Sequence, residues 1–461
     1  MRWLILLLLI ACTVEDVNVP EPNIPRETVR VPEPKIPQET VVPFTNYTVT
    51  QSDTITSYTI NNNGCTKAKG TPIIVNGYVV FNLYDNDCKG PHGDTLFALD
   101  PNTQTLYDLG DYGSSEGTML YNNDQLFIPS LDSAYYLLDI SNIMQPVLLH
   151  DNRRMKSVDS AALFFNDHYY VGTINHPNPL CQRDVNIDCG AFLKIDMTGQ
   201  IVDRLDLQDG HRAWHTGAPT TNGEHIFIGT GTDIKGDTDT EYLHGCSVLK
   251  LDENLNVLAI ADPELQGCSE VEGTKLETAV TGEVALGPNN VWVQFVGPEQ
   301  HDETAVIQYD HDLNEICRAY FPRMSQYASA GYYQAPTIDA DGNAYVTIQH
   351  AENQAKLTAY KIDTDCVPTK LADAVGYDGV PLTLTNQGVL FLSPGQLQIV
   401  SETTQTIKLP AGSVTSAPIV HNGDVYVLTE EGTLHVIKHD LEYAEGWPRL
   451  RGDNHGSATL S

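Results

Sequence analysis

Basic residues are scarce in this chain. Against 60 Asp and Glu it carries 26 Lys and Arg, a formal net charge of −34. That deficit excludes nucleic acid and anionic lipid headgroups as partners, because both need basic surface. The acidic residues are spread along the chain, so a dedicated cationic partner is not implied either. Helix-period apolar patterns are nearly absent, which argues against an α-solenoid. No Cys-x-x-Cys occurs, which leaves a zinc site without its usual ligand spacing. Tryptophan is limited to four positions, 3, 214, 292 and 447.

What is present is a repeat. Eight times the chain gives a strand, a turn and a second strand, most clearly at Thr71–Phe81, Ala218–Ile228, Ala335–Val346 and Ala417–Val427. Weaker copies start near Met119, Ala162, Val284 and Pro381. The turns are of Asn-Gly or Asp-Gly type, residues that accept the positive φ of tight hairpins. A large apolar residue follows in constant register: Val80, Phe127, Tyr170, Phe227, Trp292, Tyr345, Leu390 and Tyr426. A third strand closes on an apolar–Asp pair at Asp100, Asp139, Asp196, Asp252, Asp310 and Asp363, and a short fourth apolar piece comes next. Units of roughly 37 to 64 residues with four strands each predict a β-propeller, here all-β and eight-bladed. The alternation of Thr and apolar residues from Tyr47 to Ile60 predicts that this segment supplies the missing outer strand of the last blade. Closure removes the sheet edges that an open ring would expose.

The N-terminus predicts export. Residues 1–11 read as a signal peptide whose apolar core, Trp3 to Ile10, is too short to span a bilayer. Leu9-Ile10-Ala11-Cys12 resembles a bacterial lipobox, so Cys12 is the expected lipidation site and acyl chains the expected membrane anchor. Thr13 in place of Asp favours the outer membrane. Residues 12–43 read as a lipidated Cys and Pro-rich tether, in which Val19–Val29 is nearly duplicated as Val31–Val41. Its prolines forbid helix and favour an extended spacer. Residues 44–461 then form the propeller, expected to be monomeric. Eight further cysteines, Cys65, Cys88, Cys181, Cys189, Cys246, Cys268, Cys317 and Cys366, read as four disulfides in an oxidising compartment. Connectivity is not fixed by sequence. Sequential pairing is simplest, and it ties the ends of units five and six together through Cys317 and Cys366.

The Ala-Pro strand openings, the hairpins before Val-Tyr-Val and the aliphatic strands ending in Asp resemble PQQ-type, quinoprotein-like propeller repeats over about 65 to 455. The closing Gly446-Trp447-Pro448-Arg-Leu-Arg-Gly-Asp-Asn-His-Gly456 is similar to a Trp-Pro…Arg-Gly-Asp segment found at an end of such chains. The resemblance implies one of two functions. Some members are quinone-dependent alcohol and glucose dehydrogenases, and others are non-enzymatic lipoproteins such as an outer-membrane assembly subunit. The alcohol dehydrogenases of the family use adjacent cysteines beneath the quinone, a stacking Trp and a Ca²⁺ held by Glu, Asn and Asp. This chain has no adjacent cysteines. Trp292 stands at a core position and only Trp214 falls in a loop facing the channel, so PQQ is not expected and no catalytic residue is assigned.

The expected site is therefore a recognition surface for a protein or small ligand on one propeller face. His211-Arg212-Ala213-Trp214-His215 precedes the first strand of the fourth unit. Equivalent loops carry Lys67, Lys69, Glu116, Asp159, Glu277, Tyr327, Tyr332, Tyr333, Tyr377 and Asp378. Polar and aromatic groups converging at a channel mouth suit binding. For metal the only candidates are Asp233, Asp237 and Asp239, with Glu241, in a Gly-containing loop. Their spacing is not that of an EF-hand, and a solvated loop is the preferred reading. Asp339-Ala-Asp341-Gly-Asn343 reads as a hairpin turn. The sequence thus points to an envelope-anchored binding or assembly scaffold, with a PQQ- and Ca²⁺-dependent dehydrogenase as the alternative.

Overall fold

The structure is a computed structural model. It describes residues 41, 43–60, 68, 70–83, 95–112, 117–130, 135–152, 161–173, 191–206, 215–216, 218–231, 247–262, 279–280, 284–296, 303–322, 335–350, 353–376, 380–410, 412, 414, 416–447, 449 and 452–453. All of them lie in the compact unit Gln38–Ser461. There is no helix among the described residues.

Eight antiparallel blades follow one another, each numbered here from its innermost strand outward. Blade 1 is Ile73–Val75, Tyr78–Asn82, Thr95–Asp100 and Thr105–Asp111. Blade 2 spans Leu120–Asn122 to Val147–Asn152, and blade 3 Leu163–Phe165 to Ile201–Asp206. Blade 4 spans Thr220–Thr221 to Val257–Ala261, and blade 5 Ala285–Leu286 to Glu315–Pro322. Blade 6 spans Thr337–Asp339 to Pro368–Val375, and blade 7 Thr383–Thr385 to Thr404–Lys408. Blade 8 takes three strands from the C-terminal side, Ile419–His421, Gly423–Leu428 and Thr433–Leu441. Its fourth strand, Ile55–Ile60, comes from the N-terminal side, as the Thr/apolar alternation predicted, and Tyr47–Gln51 adds a fifth.

The repeat phrase has a local cause in each half. In the first hairpins of blades 1, 2, 3 and 8 both turn residues hold positive φ: Asn76 and Gly77, Asn123 and Asp124, Asn166 and Asp167, Asn422 and Gly423. These are the mirror-image turns whose twist matches that of the flanking strands. The apolar–Asp pair marks the turn between third and fourth strands. In blade 5, Asp310 Oδ1 accepts the backbone N–H groups of Asp312 at 2.8 Å and Asn314 at 2.9 Å, while Leu313 N–H donates to the Asp310 carbonyl. Asp196, Asp252 and Asp363 make the same pair of bonds two and four residues on. Partial burial would raise the carboxyl pKa of Asp196, Asp252 and Asp310, but these donors outweigh it and hold all three below the ordinary value. The residue three after the Asp takes positive φ: Gly199, Leu255, Leu313 and Cys366. Leu255, Leu313 and Cys366 are buried in the core between blades, which offsets the strain of a left-handed non-glycine residue.

The large residue in constant register on the second strand reaches the next blade. Tyr170 donates its hydroxyl to the Glu253 carbonyl of blade 4 at 2.9 Å. Trp292 Nε1 donates to the Gly342 carbonyl of blade 6 at 3.0 Å, and its ring is fully buried, as its core position predicted. The register therefore selects side chains that lock neighbouring blades. Cys317 and Cys366 form a disulfide between blade 5 and the last turn of blade 6, the pairing sequential order predicted. The remaining cysteines lie outside the described residues.

Candidate functional site

The innermost strands of a propeller line its axis, and the connection leading into each emerges on one face of the disc. The lead-in residues His211, Arg212 and Trp214 lie outside the described residues, as do Lys67, Lys69, Glu116, Asp159, Glu277, Tyr327, Tyr332, Tyr333, Tyr377 and Asp378. Asp233, Asp237, Asp239, Glu241 and Cys12 do too. Around them the backbone is informative. His215–Thr216 is a short strand rather than irregular loop, and it pairs with Thr230 and Gly231 at the end of the second strand of blade 4. Ala279–Val280, two residues beyond Glu277, pairs on one side with Gly231 and on the other with Phe295 and Val296 of blade 5. The chain segments that end at His215 and begin after Glu277 thus meet on the same residue, Gly231. The short strands that follow two of the predicted lead-in loops are brought to one place by backbone pairing.

Close to the axis the lead-in ends of the first strands are tied together. The Thr71 hydroxyl accepts the Ala417 N–H at 3.2 Å, joining blades 1 and 8. Thr347 and Thr383 donate to the carbonyls of Val380 and Pro418, joining blades 6 to 7 and 7 to 8. Ala335 of blade 6 packs on Ala417 of blade 8.

At the opposite end, beside the first hairpin turns, the C-terminal segment enters the channel. Asn386 N–H donates to the Glu442 carbonyl and Ala444 N–H to the Leu384 carbonyl, along the innermost strand of blade 7. Gly446–Trp447 then pairs with Ile338 and Asp339 on the innermost strand of blade 6. The approach is so close that a Cβ on Gly446 would stand 2.6 Å from the Ile338 carbonyl oxygen, and its φ of +108° is also one that glycine supplies. Trp447 and Arg449 are fully buried. Tyr443 is partly buried beside them; desolvation pushes its phenol pKa up, and the neighbouring Arg449 opposes that rise. Residues 442–447 thus run along the innermost strands of blades 7 and 6. The sequence showed this segment as a closing tail, without its place in the channel.

One buried pair has the composition of a nucleophile and its base. Ser57 Oγ and His435 Nδ1 are 2.8 Å apart in blade 8. Both are almost completely buried, and burial pushes the His435 pKa down to about 4, with Glu431 opposing. The pair joins the N-terminal strand to the C-terminal one inside blade 8. Among the described residues no group of three or more His, Cys, Asp or Glu stands where it could hold a metal ion. Asp339 and Asp341 sit in the hairpin turn, where Asp339 binds the N–H groups of Asp341 and Asn343, so the turn reading holds.

No known protein family is matched by the sequence, and no curated protein matches it. Solved structures do match in fold. BamB from Moraxella catarrhalis is 12% identical, with a TM-score of 0.52 over 85% of this chain and 98% of that one. The quinohemoprotein alcohol dehydrogenase ADHIIG from Pseudomonas putida HK5 is 11% identical, with a TM-score of 0.55 over 84% of this chain and 76% of that one. Sqt1 from Saccharomyces cerevisiae is 10% identical, with a TM-score of 0.53 over 81% of this chain and 96% of that one. At this identity the likeness is one of fold: this chain is an eight-bladed propeller similar to the PQQ-type ones.

Proposed function

We propose that the protein is a non-enzymatic binding scaffold, held to the bacterial outer membrane by lipid on Cys12, that recognises a protein or small ligand on the lead-in face. His211, Arg212, Trp214 and His215 are its main contacts, flanked by Glu277 from the next loop. The observation that carries this reading is the junction at Gly231, where the strand ending the His-Arg-Ala-Trp-His segment and the strand following Glu277 meet. The C-terminal segment along the innermost strands at the other end supports the choice of face. A propeller acts as a rigid frame for loops of this kind, and side chains held on rigid elements bind with less ordering cost.

The dehydrogenase reading shares the fold, since a quinohemoprotein alcohol dehydrogenase is among the similar structures. Two measurements on the purified mature protein separate the readings. Titration with PQQ and Ca²⁺, followed by dye-linked alcohol oxidation, gives neither saturable binding nor turnover for a scaffold and both for the enzyme. Crosslinking in intact envelopes gives a specific adduct for a scaffold, lost on Trp214→Ala.

A further inference from the structure

Exposed apolar side chains are not spread evenly around the rim of the disc. Among the described residues ten large exposed hydrophobics lie on or at the start of the fourth strands of five consecutive blades, 2 to 6, from Val147 to Val375. The other three blades treat the same edge differently. In blade 1 the fourth strand is covered by the chain itself: Phe44 N–H donates to the Leu106 carbonyl at 2.9 Å, Pro43 bridges Tyr107, and the Phe44 ring meets Phe97 edge-on at 5.1 Å. In blade 8 the fourth strand is covered by Tyr47–Gln51 in full register. In blade 7 the edge pairs with no further strand among the described residues, but Thr404–Lys408 is largely polar, as befits a strand that stays in water. Blades 1 and 8 thus show that this chain covers such an edge with an extended segment where one is at hand.

Blades 5 and 6 carry the longest of these fourth strands, eight residues each, and blade 5 has its two exposed apolar residues on one face. Its fourth strand, Glu315–Pro322, is eight residues long and pairs on its outer side with no strand among the described residues. Ile316 and Tyr320 are each half exposed, at 53% and 52%, and share one face of the strand. Between them Arg318 pairs with Glu315, donates to the Tyr320 hydroxyl at 3.0 Å and lies over its ring. The strand is electrically neutral in a chain of net charge −34, because its one cation and one anion neutralise each other. Its other face is fixed by the disulfide from Cys317 to Cys366 of blade 6. Anchored, neutral and regular from Cys317 to Pro322 after a β-bulge at Ile316, the strand leaves its outer backbone donors and acceptors without a strand partner among the described residues, with apolar side chains beside them.

We propose that the outer edge of Glu315–Pro322 takes an extended, neutral or basic segment of another protein by strand addition, with alternate aliphatic side chains resting on Ile316 and Tyr320. A second copy of this chain is disfavoured as occupant because it brings another −34 charges to the rim. The surface is separate from the lead-in face, so its fate is independent of the function proposed above.

The probe is an acetylated, amidated ten-residue peptide of alternating valine and lysine or threonine, fluorescently labelled and titrated against the full mature protein. Saturable binding is expected, with backbone amides of residues 315–322 gaining protection from hydrogen exchange. Ile316→Lys with Tyr320→Lys is expected to weaken binding at least tenfold, whereas Thr406→Lys on the polar edge of blade 7 and Trp214→Ala leave it unchanged. Three results overturn the proposal: no saturable binding, protection elsewhere than 315–322, or equal affinity for the double variant. Concentration-dependent dimerisation of the protein that Ile316→Lys abolishes also overturns it, in favour of a second copy.

Discussion

The hydroxyl of Tyr443 accepts the backbone N–H of Val420 at 2.7 Å, so a residue near the C-terminus holds the innermost strand of blade 8 from inside the channel. Through its neighbours the same segment pairs with the innermost strands of blades 7 and 6. Three consecutive blades are thus joined on the axis by one stretch of chain.

Trp447→Ala is expected to be among the most destabilising single substitutions. The indole is fully buried against blade 6, and its removal leaves a cavity worth about 3–5 kcal/mol. Tyr443→Phe, which leaves one buried N–H without its acceptor, is expected to cost about 1–3 kcal/mol. Chemical denaturation of the two variants checks both values and their order.

Gly199 is irreplaceable for two reasons at once. Its φ is +84°, and a Cβ there would stand 2.3 Å from the Cβ of His150 in blade 2. Gly199→Ala is expected to cost more than the roughly 1–2 kcal/mol of left-handed strain alone, because the ring of His150, stacked on Tyr135, must also move. A lowered thermal midpoint, relieved in part by His150→Gly, which removes the clashing Cβ, is the expected result.

The turn aspartates act as caps rather than as ligands. Asp310→Ala removes the acceptor of two backbone N–H groups and is expected to cost about 1 kcal/mol, as loss of a helix cap does, whereas Asp310→Asn keeps an acceptor and costs less. Equal losses in urea denaturation would show that charge, not geometry, is what the position supplies.

Acid should loosen blade 8 before it affects the turns. His435 is held neutral in the fold with its pKa pushed down to about 4, against about 6.5 when unfolded. Between those values the unfolded chain binds the extra proton, so this contribution is complete above pH 6.5 and falls as pH drops toward 4, by up to about 3 kcal/mol. The turn carboxylates, whose pKa values are lowered, lose their contribution only below the unfolded value near 4. Stability measured from pH 7 to 4 should decline in the wild type and be flatter in His435→Gln; parallel slopes would remove His435 as the cause.

The sequence was most legible where function follows from backbone geometry. Asn76-Gly77 and Asn422-Gly423 announced their turns because few residues tolerate positive φ, and Asp196 and Asp310 announced theirs because a carboxylate two residues from an exposed N–H is the usual cap. Trp292 was legible as core from its register alone. Long-range placement was harder. Nothing local in Gly446-Trp447 says that it pairs with Ile338 more than a hundred residues earlier, and nothing in Ser57 says that it meets His435. The proposed lead-in site rests on a density of imidazole and indole groups in the sequence, in residues that lie outside the described ones. The meeting of the two short strands at Gly231 was not legible, because a single backbone bridge leaves no compositional trace.

Recognition of a partner by the lead-in face, without chemistry, is tested most directly by Trp214→Ala. Denaturation of the purified variant should match the wild type, while envelope crosslinking should lose the specific adduct at least tenfold, as removal of an aromatic anchor worth about 2 kcal/mol requires. Unfolding of the variant by about 3–5 kcal/mol, as for a core residue, would contradict the account. So would an undiminished adduct.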